Sequence, residues 1–290
     1  MRDVQRGVTV LGVACVVVLF AACSTLSSGS SRGRPRSLLI VGDSVAVQSA
    51  QALSHLEPQG TTVTTDAVLG GSAPCDWNVG FTEKDTGKHV SFSAILSQVK
   101  PDAVVFLFTG NPGLSGPPAG CVNANSPYSL DQLLATYQPA LTTMGDEAVT
   151  SGAQVYFEAP PPRNPAVPVG WETAESIHGG YQGAPQIAPF YKELAAKRPG
   201  LWHYDPSAGA AVSNAALTWE LSQACEPWSA QRCEAGQVQV RTGGTDAVHL
   251  DEHGCGAVFL ALAVEQHVFG TPRPSNEAIE AAIKSYDGCQ

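Results

Sequence analysis

Short apolar runs alternate along this chain with segments in which apolar residues recur at helical spacing. The runs predict five buried strands: Leu38–Val41, Thr61–Val68, Ala103–Phe108, Gln154–Glu158 and Leu201–Tyr204. The other segments predict helices at Val45–Leu56, Phe92–Val99, Leu130–Val149, Ile187–Ala196, Glu252–Val268 and Glu277–Ser285. Continuous apolar strands separated by helices indicate a mainly parallel sheet covered on both faces. The predicted fold class is therefore α/β, a three-layer α/β/α sandwich.

Three predicted loops follow strand ends and carry polar or turn-forming residues. They begin at Gly42-Asp43-Ser44, at Gly110-Asn111 and at Ala159-Pro160. Because ligands of open parallel sheets bind beyond the carboxyl ends of the strands, we expect these loops to meet at one edge.

The first 36 residues are expected to lie outside this fold. Arg2 and Arg6 precede an uncharged apolar stretch, Gly7–Ala22, that is shorter than the roughly 20 residues of a membrane-spanning helix. Residues 1–22 are thus predicted to be a signal peptide, residues 23–36 a flexible tether, and residues 37–290 one domain. The sequence Leu19-Phe20-Ala21-Ala22-Cys23 resembles the lipobox of bacterial lipoproteins, in which the cysteine is lipidated. This predicts a membrane lipoprotein facing outward, anchored through Cys23, with a secreted protein or a retained anchor as alternatives.

Export changes the meaning of the cysteines. Two of the eight, Cys15 and Cys23, fall in the targeting segment, and six remain. An even set in an oxidising compartment indicates three disulfides, for which fifteen pairings exist. Our choice among them is Cys75–Cys121, Cys225–Cys233 and Cys255–Cys289. No C-x-x-C pair is present, so we predict no metal site, and the net charge of −10 argues against a nucleic-acid partner.

Four short segments carry residue types suited to acyl transfer. Ser44 lies at a predicted strand-to-helix turn, where a hydroxyl is exposed beside helix N-terminal N–H groups. Asp246 precedes His249 by three residues, a spacing that lets a carboxylate orient an imidazole. Asn111 and Gly70 follow predicted strands and could each donate to a developing oxyanion. Taken singly, each also fits an ordinary turn or cap residue.

Together the four segments resemble the SGNH (GDSL-like) hydrolase family, over roughly residues 37–270. The resemblance implies an SGNH/flavodoxin-like fold, a Ser44–His249–Asp246 triad, and an oxyanion hole made by Ser44, Asn111 and Gly70, with Gly71 the less favoured glycine. Two departures stand out: Pro112 occupies a position where the family usually has aspartate, and the glycine block has lost most of its surrounding pattern. The cysteines beside these blocks are similar to those of SGNH domains appended to bacterial membrane acyltransferases that modify cell-surface sugars.

The expected function is a serine esterase that hydrolyses small, acetyl-like esters on cell-surface carbohydrate without a cofactor. Transfer of the acyl group to a glycan hydroxyl is one alternative, and a catalytically inactive glycan-binding lipoprotein is another. A third arises because His249-Leu250-Asp251-Glu252-His253 fits the H-x-x-E-H zinc-protease pattern. We favour an exposed His253, since Asp251 has the position of a helix N-cap. Oligomeric state is not predicted.

Overall fold

The computed structural model describes residues 34–82, 86–123, 128–165, 184–242, 248–251, 255–286 and 288–289. Its centre is a five-stranded sheet in which every neighbouring pair is parallel. The strands are β1 (Ser37–Gly42), β2 (Thr62–Val68), β3 (Ala103–Leu107), β4 (Gln154–Glu158) and β5 (Trp202–Asp205). Their spatial order is β2-β1-β3-β4-β5. This is the flavodoxin-like order, whose direction of winding reverses between β1 and β3 and leaves a crevice there.

Helices cover both faces of the sheet. They are α1 (Ser44–His55), α2 (Pro74–Val79), α3 (Phe92–Val99), α4 (Leu130–Ser151), α5 (Ala184–Ala195), α6 (Ser207–Ala211), α7 (Gly256–Phe269) and α8 (Asn276–Tyr286). One hydrophobic core contains buried residues of α1, α6, α7 and α8, and the other contains residues of α2, α3, α4 and α5. The predicted three-layer sandwich is confirmed.

The first strand shows why the apolar runs predicted the sheet so well. Leu38 and Ile40 belong to one core and Leu39 and Val41 to the other, and all four are fully buried. Successive side chains of a strand point to opposite faces, so a strand covered on both sides needs apolar residues at every position.

Smaller elements lie outside the sheet. Two antiparallel hairpins pair Phe81–Thr82 with His89–Val90, and Ser222–Ala224 with Gln237–Gln239. Short 3-10 helices run over Pro117–Ala119 and Pro227–Arg232. Among the residues described, no helix combines the length and apolar character required to cross a membrane.

The predicted start of the last large helix is wrong. Helix α7 begins at Gly256 with Cys255 as its N-cap, so Asp251 does not cap it. Gly256 packs directly against the backbone of Val240, where a Cβ atom would lie 2.1 Å from the carbonyl oxygen. Only glycine fits this contact. The helix therefore starts where Gly256 meets the backbone of Val240, and not at the position that the local capping pattern indicated.

Three disulfides join the described cysteines: Cys75–Cys121, Cys225–Cys233 and Cys255–Cys289. These are the predicted pairs. The first ties α2 to the loop after β3, and the third ties the start of α7 to the segment after α8. Each therefore constrains a segment that leaves the central sheet.

Candidate active site

The tight turn from β1 to α1 fixes Ser44 at the carboxyl edge of the sheet. Gly42 ends β1, and a Cβ atom there would lie 2.3 Å from the Leu107 carbonyl oxygen and 2.5 Å from the Ala46 side chain. Glycine is therefore required for α1 to start directly beside β3. Asp43 is the N-cap of α1 and accepts a hydrogen bond from the Val45 N–H. Ser44, the first helical residue, is only partly buried.

The histidine predicted from the far end of the chain reaches this serine. His249 Nε2 lies 2.9 Å from Ser44 Oγ, although the two residues are separated by 205 positions. This distance is within hydrogen-bond reach for an imidazole that takes a proton from a hydroxyl. The structure thus brings together a potential nucleophile and base.

The backbone next to His249 is bound to α1 by one amide side chain. Gln48, one turn after Ser44, donates from Nε2 to the Leu250 carbonyl at 3.2 Å and accepts from the Leu250 N–H at 3.0 Å. The histidine segment is therefore attached to the same helix that begins with the serine. Nothing in the sequence pattern pointed to Gln48.

A buried arginine supports the same segment from the other side. Arg241 is fully buried and donates to the carbonyls of Val248, at 2.9 Å, and Pro162, at 3.2 Å. Its guanidinium also lies 4.9 Å from the centre of the Trp219 ring. Because a buried guanidinium needs acceptors for its N–H groups, these contacts fix the position of Val248, the residue before His249.

Asp43 occupies the centre of a dense set of hydrogen bonds. Its Oδ2 atom accepts from the Thr109 N–H at 2.6 Å, the Thr109 hydroxyl at 2.7 Å and the Asn111 side-chain amide at 2.9 Å. Burial raises the pKa of the Asp43 carboxyl, while the hydrogen bonds from Thr109 and Val45 and the charge of His249 oppose that shift. The carboxylate joins the end of β1 to the loop after β3.

Asn111, in the loop after β3, is held by two hydrogen bonds. Its amide nitrogen donates to Asp43, and its backbone carbonyl accepts from the Tyr137 hydroxyl at 2.8 Å. An amide group carries two N–H bonds, so one remains beyond the bond to Asp43. Pro112, the departure noted in the sequence, is buried directly after Asn111.

Of the two candidate glycines, Gly70 lies beside the serine. A Cβ atom on Gly70 would be 3.9 Å from the Ser44 Cβ, whereas one on Gly71 would meet Leu114 at 3.3 Å. The loop is tied to β1 because the Leu69 N–H and the Ser72 hydroxyl both donate to the Gly42 carbonyl, at 3.1 and 3.2 Å. This geometry favours Gly70 over Gly71.

Another buried carboxylate, Asp76, organises the neighbouring loop. It accepts from the N–H groups of Ala73, Leu114 and Ser115 at 2.8–3.1 Å. Trp77 is also buried, donates to the Ser72 hydroxyl at 3.0 Å and packs edge-on against Phe81. These contacts give Asp76 and Trp77 a packing role beside the disulfide of Cys75.

Several predicted residues lie outside the described part of the chain. They include Asp246, the proposed acid of the triad, and Glu252 and His253 of the zinc pattern. The predicted signal segment with Cys23 also lies there.

Comparison with known proteins gives structural likeness only. No model of a known protein family matches the sequence, and no curated protein matches it. The structure is similar to a GDSL-like lipase from Bacteroides thetaiotaomicron, with 10% identity, a TM-score of 0.45 and coverage of 80% of this chain and 87% of that one. It is similar to a catalytic mutant of an acetylxylan esterase from Geobacillus stearothermophilus, with 16% identity, a TM-score of 0.46 and coverage of 84% and 98%. It is also similar to the catalytic domain of a Streptococcus pneumoniae peptidoglycan O-acetyltransferase, with 15% identity, a TM-score of 0.37 and coverage of 87% and 95%.

Proposed function

We propose that this chain is an SGNH-type serine esterase that removes small acyl groups, such as acetyl, from carbohydrate esters. The observation that carries the proposal is the 2.9 Å approach of His249 Nε2 to Ser44 Oγ at the switch point of a flavodoxin-like sheet. The carbohydrate substrate rests on the family that the four sequence blocks resemble and on the proposed export of the chain. In this proposal the protein faces outward, tethered to the membrane by a lipid on Cys23.

The proposed reaction proceeds through an acyl-enzyme. His249 takes the proton of Ser44 as Oγ attacks the ester carbonyl, and the same proton passes to the departing sugar oxygen. Water then repeats the sequence, releases the acid and restores the serine. Asp246 is proposed to hold the imidazole through its other ring nitrogen.

The oxyanion formed in each step needs donors close to Ser44. The Ser44 N–H belongs to the first turn of α1, whose N–H groups have no partner within the helix. Gly70 contributes a backbone N–H from the adjacent loop, and Asn111 contributes the amide N–H that Asp43 does not engage. In the proposal, Asp43 acts on the reaction only by positioning Asn111 and the turn.

Labelling with a fluorophosphonate tests the proposal directly. We expect the probe to attach to Ser44, and we expect Ser44→Ala to lose both labelling and hydrolysis of p-nitrophenyl acetate. Ser54→Ala, on the same helix, is the matched control and should retain both. Acetate release from an acetylated oligosaccharide then tests the substrate class.

Two results would contradict the serine mechanism. One is undiminished hydrolysis by a Ser44→Ala protein with the wild-type circular dichroism spectrum. The other is activity that a chelator abolishes and the phosphonate leaves intact, which would favour the zinc pattern instead.

A further inference from the structure

A second group of ionisable side chains lies at the same carboxyl edge of the sheet, on β4 and β5. Glu158 ends β4, Asp205 ends β5, and these two residues are paired across the strands. His267, on α7, places Nδ1 2.6 Å from Glu158 Oε1 and 3.4 Å from Asp205 Oδ2. One ligand atom from each of the three residues lies within 4.8 Å of the other two.

The hydrogen bonding of Glu158 in this group is incomplete. Its side chain is fully buried, and Oε2 makes no hydrogen bond to any residue that the structure describes. Buried carboxylate oxygens are ordinarily satisfied, so Oε2 has a lone pair to offer to a further donor or to a cation.

The cluster is also accessible from solvent. The side chains of His267 and Asp205 retain 20% and 22% of their exposure. An ion could therefore reach the group past these two residues without the sheet opening. Tyr156, two residues before Glu158, packs edge-on against the His267 ring and holds it over the strand ends.

We propose that Glu158, Asp205 and His267 form a binding site for a divalent transition-metal ion of the Zn²⁺ class. One imidazole nitrogen and two carboxylate oxygens form a donor set that suits such ions. Bond lengths near 2.0–2.2 Å in a tetrahedron place donor atoms roughly 3.3 Å apart. The His267–Asp205 distance of 3.4 Å fits this spacing. The Glu158 oxygen lies 2.6 Å from His267 Nδ1, so metal binding requires this hydrogen bond to break and the two atoms to separate by about 0.7 Å.

The other comparable cluster in the described chain does not qualify. It consists of Cys75, Asp76 and Cys121, but both sulfur atoms are consumed in a disulfide. The proposed site differs from the sequence prediction of no metal, which weighed cysteine spacing and the H-x-x-E-H pattern but not these three residues.

The proposed ion is separate from the serine site. Strand β4 lies two positions from β1 in the sheet, roughly 10 Å away. An ion there would join the ends of β4 and β5 to α7, which makes its role structural. Removing it should lower the melting temperature and leave serine labelling intact, so this proposal and the proposed function can fail separately.

Zinc titration of the purified, chelator-treated and dialysed protein tests the site. We expect calorimetry to show one strong Zn²⁺ site per chain, and zinc to raise the melting temperature. His267→Gln and Asp205→Asn should each weaken binding at least tenfold and abolish that rise. His55→Gln, which removes an exposed histidine on α1, controls for adventitious surface binding and should match the wild type.

The outcomes separate a metal site from a simple buried ion pair. Absence of zinc binding by the wild type, or equal binding by Asp205→Asn and the wild type, would overturn the proposal. Asp205→Asn decides the matter if His267→Gln does not fold, because Asp205 is partly exposed and its replacement is isosteric. Binding of Co²⁺ with visible absorption that both variants lose would support the same three ligands independently.

Discussion

Two fully buried carboxylates at one sheet edge, Asp43 after β1 and Glu158 at the end of β4, have opposite surroundings. Asp43 accepts hydrogen bonds from Val45, from the N–H and hydroxyl of Thr109, and from Asn111. Glu158 has one side-chain partner, His267, and an oxygen with no hydrogen bond among the described residues. The same edge of the sheet therefore holds one carboxylate with a full set of hydrogen bonds and one with an incomplete set.

The difference separates two uses of buried charge. A carboxylate surrounded by fixed donors acts as a rigid connector, because every lone pair it offers holds a neighbouring segment in place. A carboxylate with few donors retains a proton or requires a cation, because burial disfavours its charged form. We therefore expect substitutions near Asp43 to alter the geometry of the site and its catalysis. Substitutions of the carboxylates on or beside α7 should instead change how the free energy of unfolding depends on pH and on metal ions.

The largest expected effect is on the rate of ester hydrolysis, and it tests whether His249 is the catalytic base. His249→Gln should lower kcat for ester hydrolysis about 10²–10⁴-fold, because general-base assistance contributes that much. The free energy of unfolding should stay within about 0.5 kcal/mol of the wild type, since His249 is partly exposed. Steady-state kinetics and urea denaturation measure the two quantities, with His55→Gln as the control. Wild-type kcat in the His249→Gln protein would contradict the proposed base.

The second prediction concerns the removal of Asp43, the carboxylate with a full set of hydrogen bonds. Asp43→Ala should lower the free energy of unfolding by about 3 kcal/mol or more, because each buried donor left unpaired costs about 1–3 kcal/mol. Urea denaturation with an unchanged m-value measures the loss. Asp43→Asn, which retains one acceptor oxygen, should cost less. A loss below about 1 kcal/mol for Asp43→Ala would mean that water replaces the carboxylate and that it is not a rigid connector.

The sequence predicted the sheet because each strand is covered on both faces. The bounds of β4 and α3 match the prediction, and β1, β2, β3 and β5 shift by one residue at one or both ends. The short helices α2 and α6 were not predicted, since five or six residues hold too little periodicity to be recognised. Helix α7 starts four residues later than expected, at Gly256, where the chain packs against the backbone of Val240.

Within the site, the sequence indicated the candidate reactive residues but not the residues that hold them in place. Ser44, Asn111 and His249 were recognised together, because their order along the chain and their places beside predicted strands and helices resemble one family. Gln48 binds the carbonyl of Leu250 and Arg241 binds that of Pro162, both far away in the sequence. Such contacts leave no periodic signal in a sequence. The group of Glu158, Asp205 and His267 was missed for the same reason, since only the sheet and α7 bring it together.

Glu265 on α7 is a further buried carboxylate, and it adds the effect of pH to the comparison of Asp43 with Glu158. It is 2% exposed, and neither carboxylate oxygen has a hydrogen bond among the described residues. Burial, aided by the charge of Glu57, raises the pKa of Glu265 to about 9, from 4.5 in the unfolded chain. Because the folded state then holds the proton more tightly, this group's stabilising contribution is complete below pH 4.5 and declines as pH rises towards 9.

Glu265→Gln should remove this decline. At pH 8 the variant should be more stable than the wild type by about 2–5 kcal/mol, the upper value being the full linkage over about 3.5 pH units. At pH 4.5 the two should be nearly equal, because the amide mimics the neutral acid. Urea denaturation across this range measures the difference. Glu193→Gln, on α5, is the exposed control. A stability difference that does not change with pH would show that Glu265 does not titrate in this interval.

The smallest effect concerns the link between the serine and histidine segments. Gln48→Ala removes both hydrogen bonds to Leu250, so His249 should sample positions farther from Ser44 Oγ. We expect kcat to fall about tenfold, equivalent to about 1.4 kcal/mol in transition-state stabilisation, while KM stays unchanged. Gln51→Ala, an exposed neighbour on the same helix, should match the wild type in both quantities.

Gln48→Glu separates positioning from simple packing. Glutamate retains the acceptor for the Leu250 N–H but cannot donate to the Leu250 carbonyl when ionised. If Gln48 positions His249, this variant should lose less activity than Gln48→Ala, and its fluorophosphonate labelling rate should fall in proportion to kcat. Equal losses of kcat in both variants, or a change confined to KM, would mean that the amide supports substrate or packing instead. Asp43 would then remain a rigid connector, but Gln48 would not position the histidine segment.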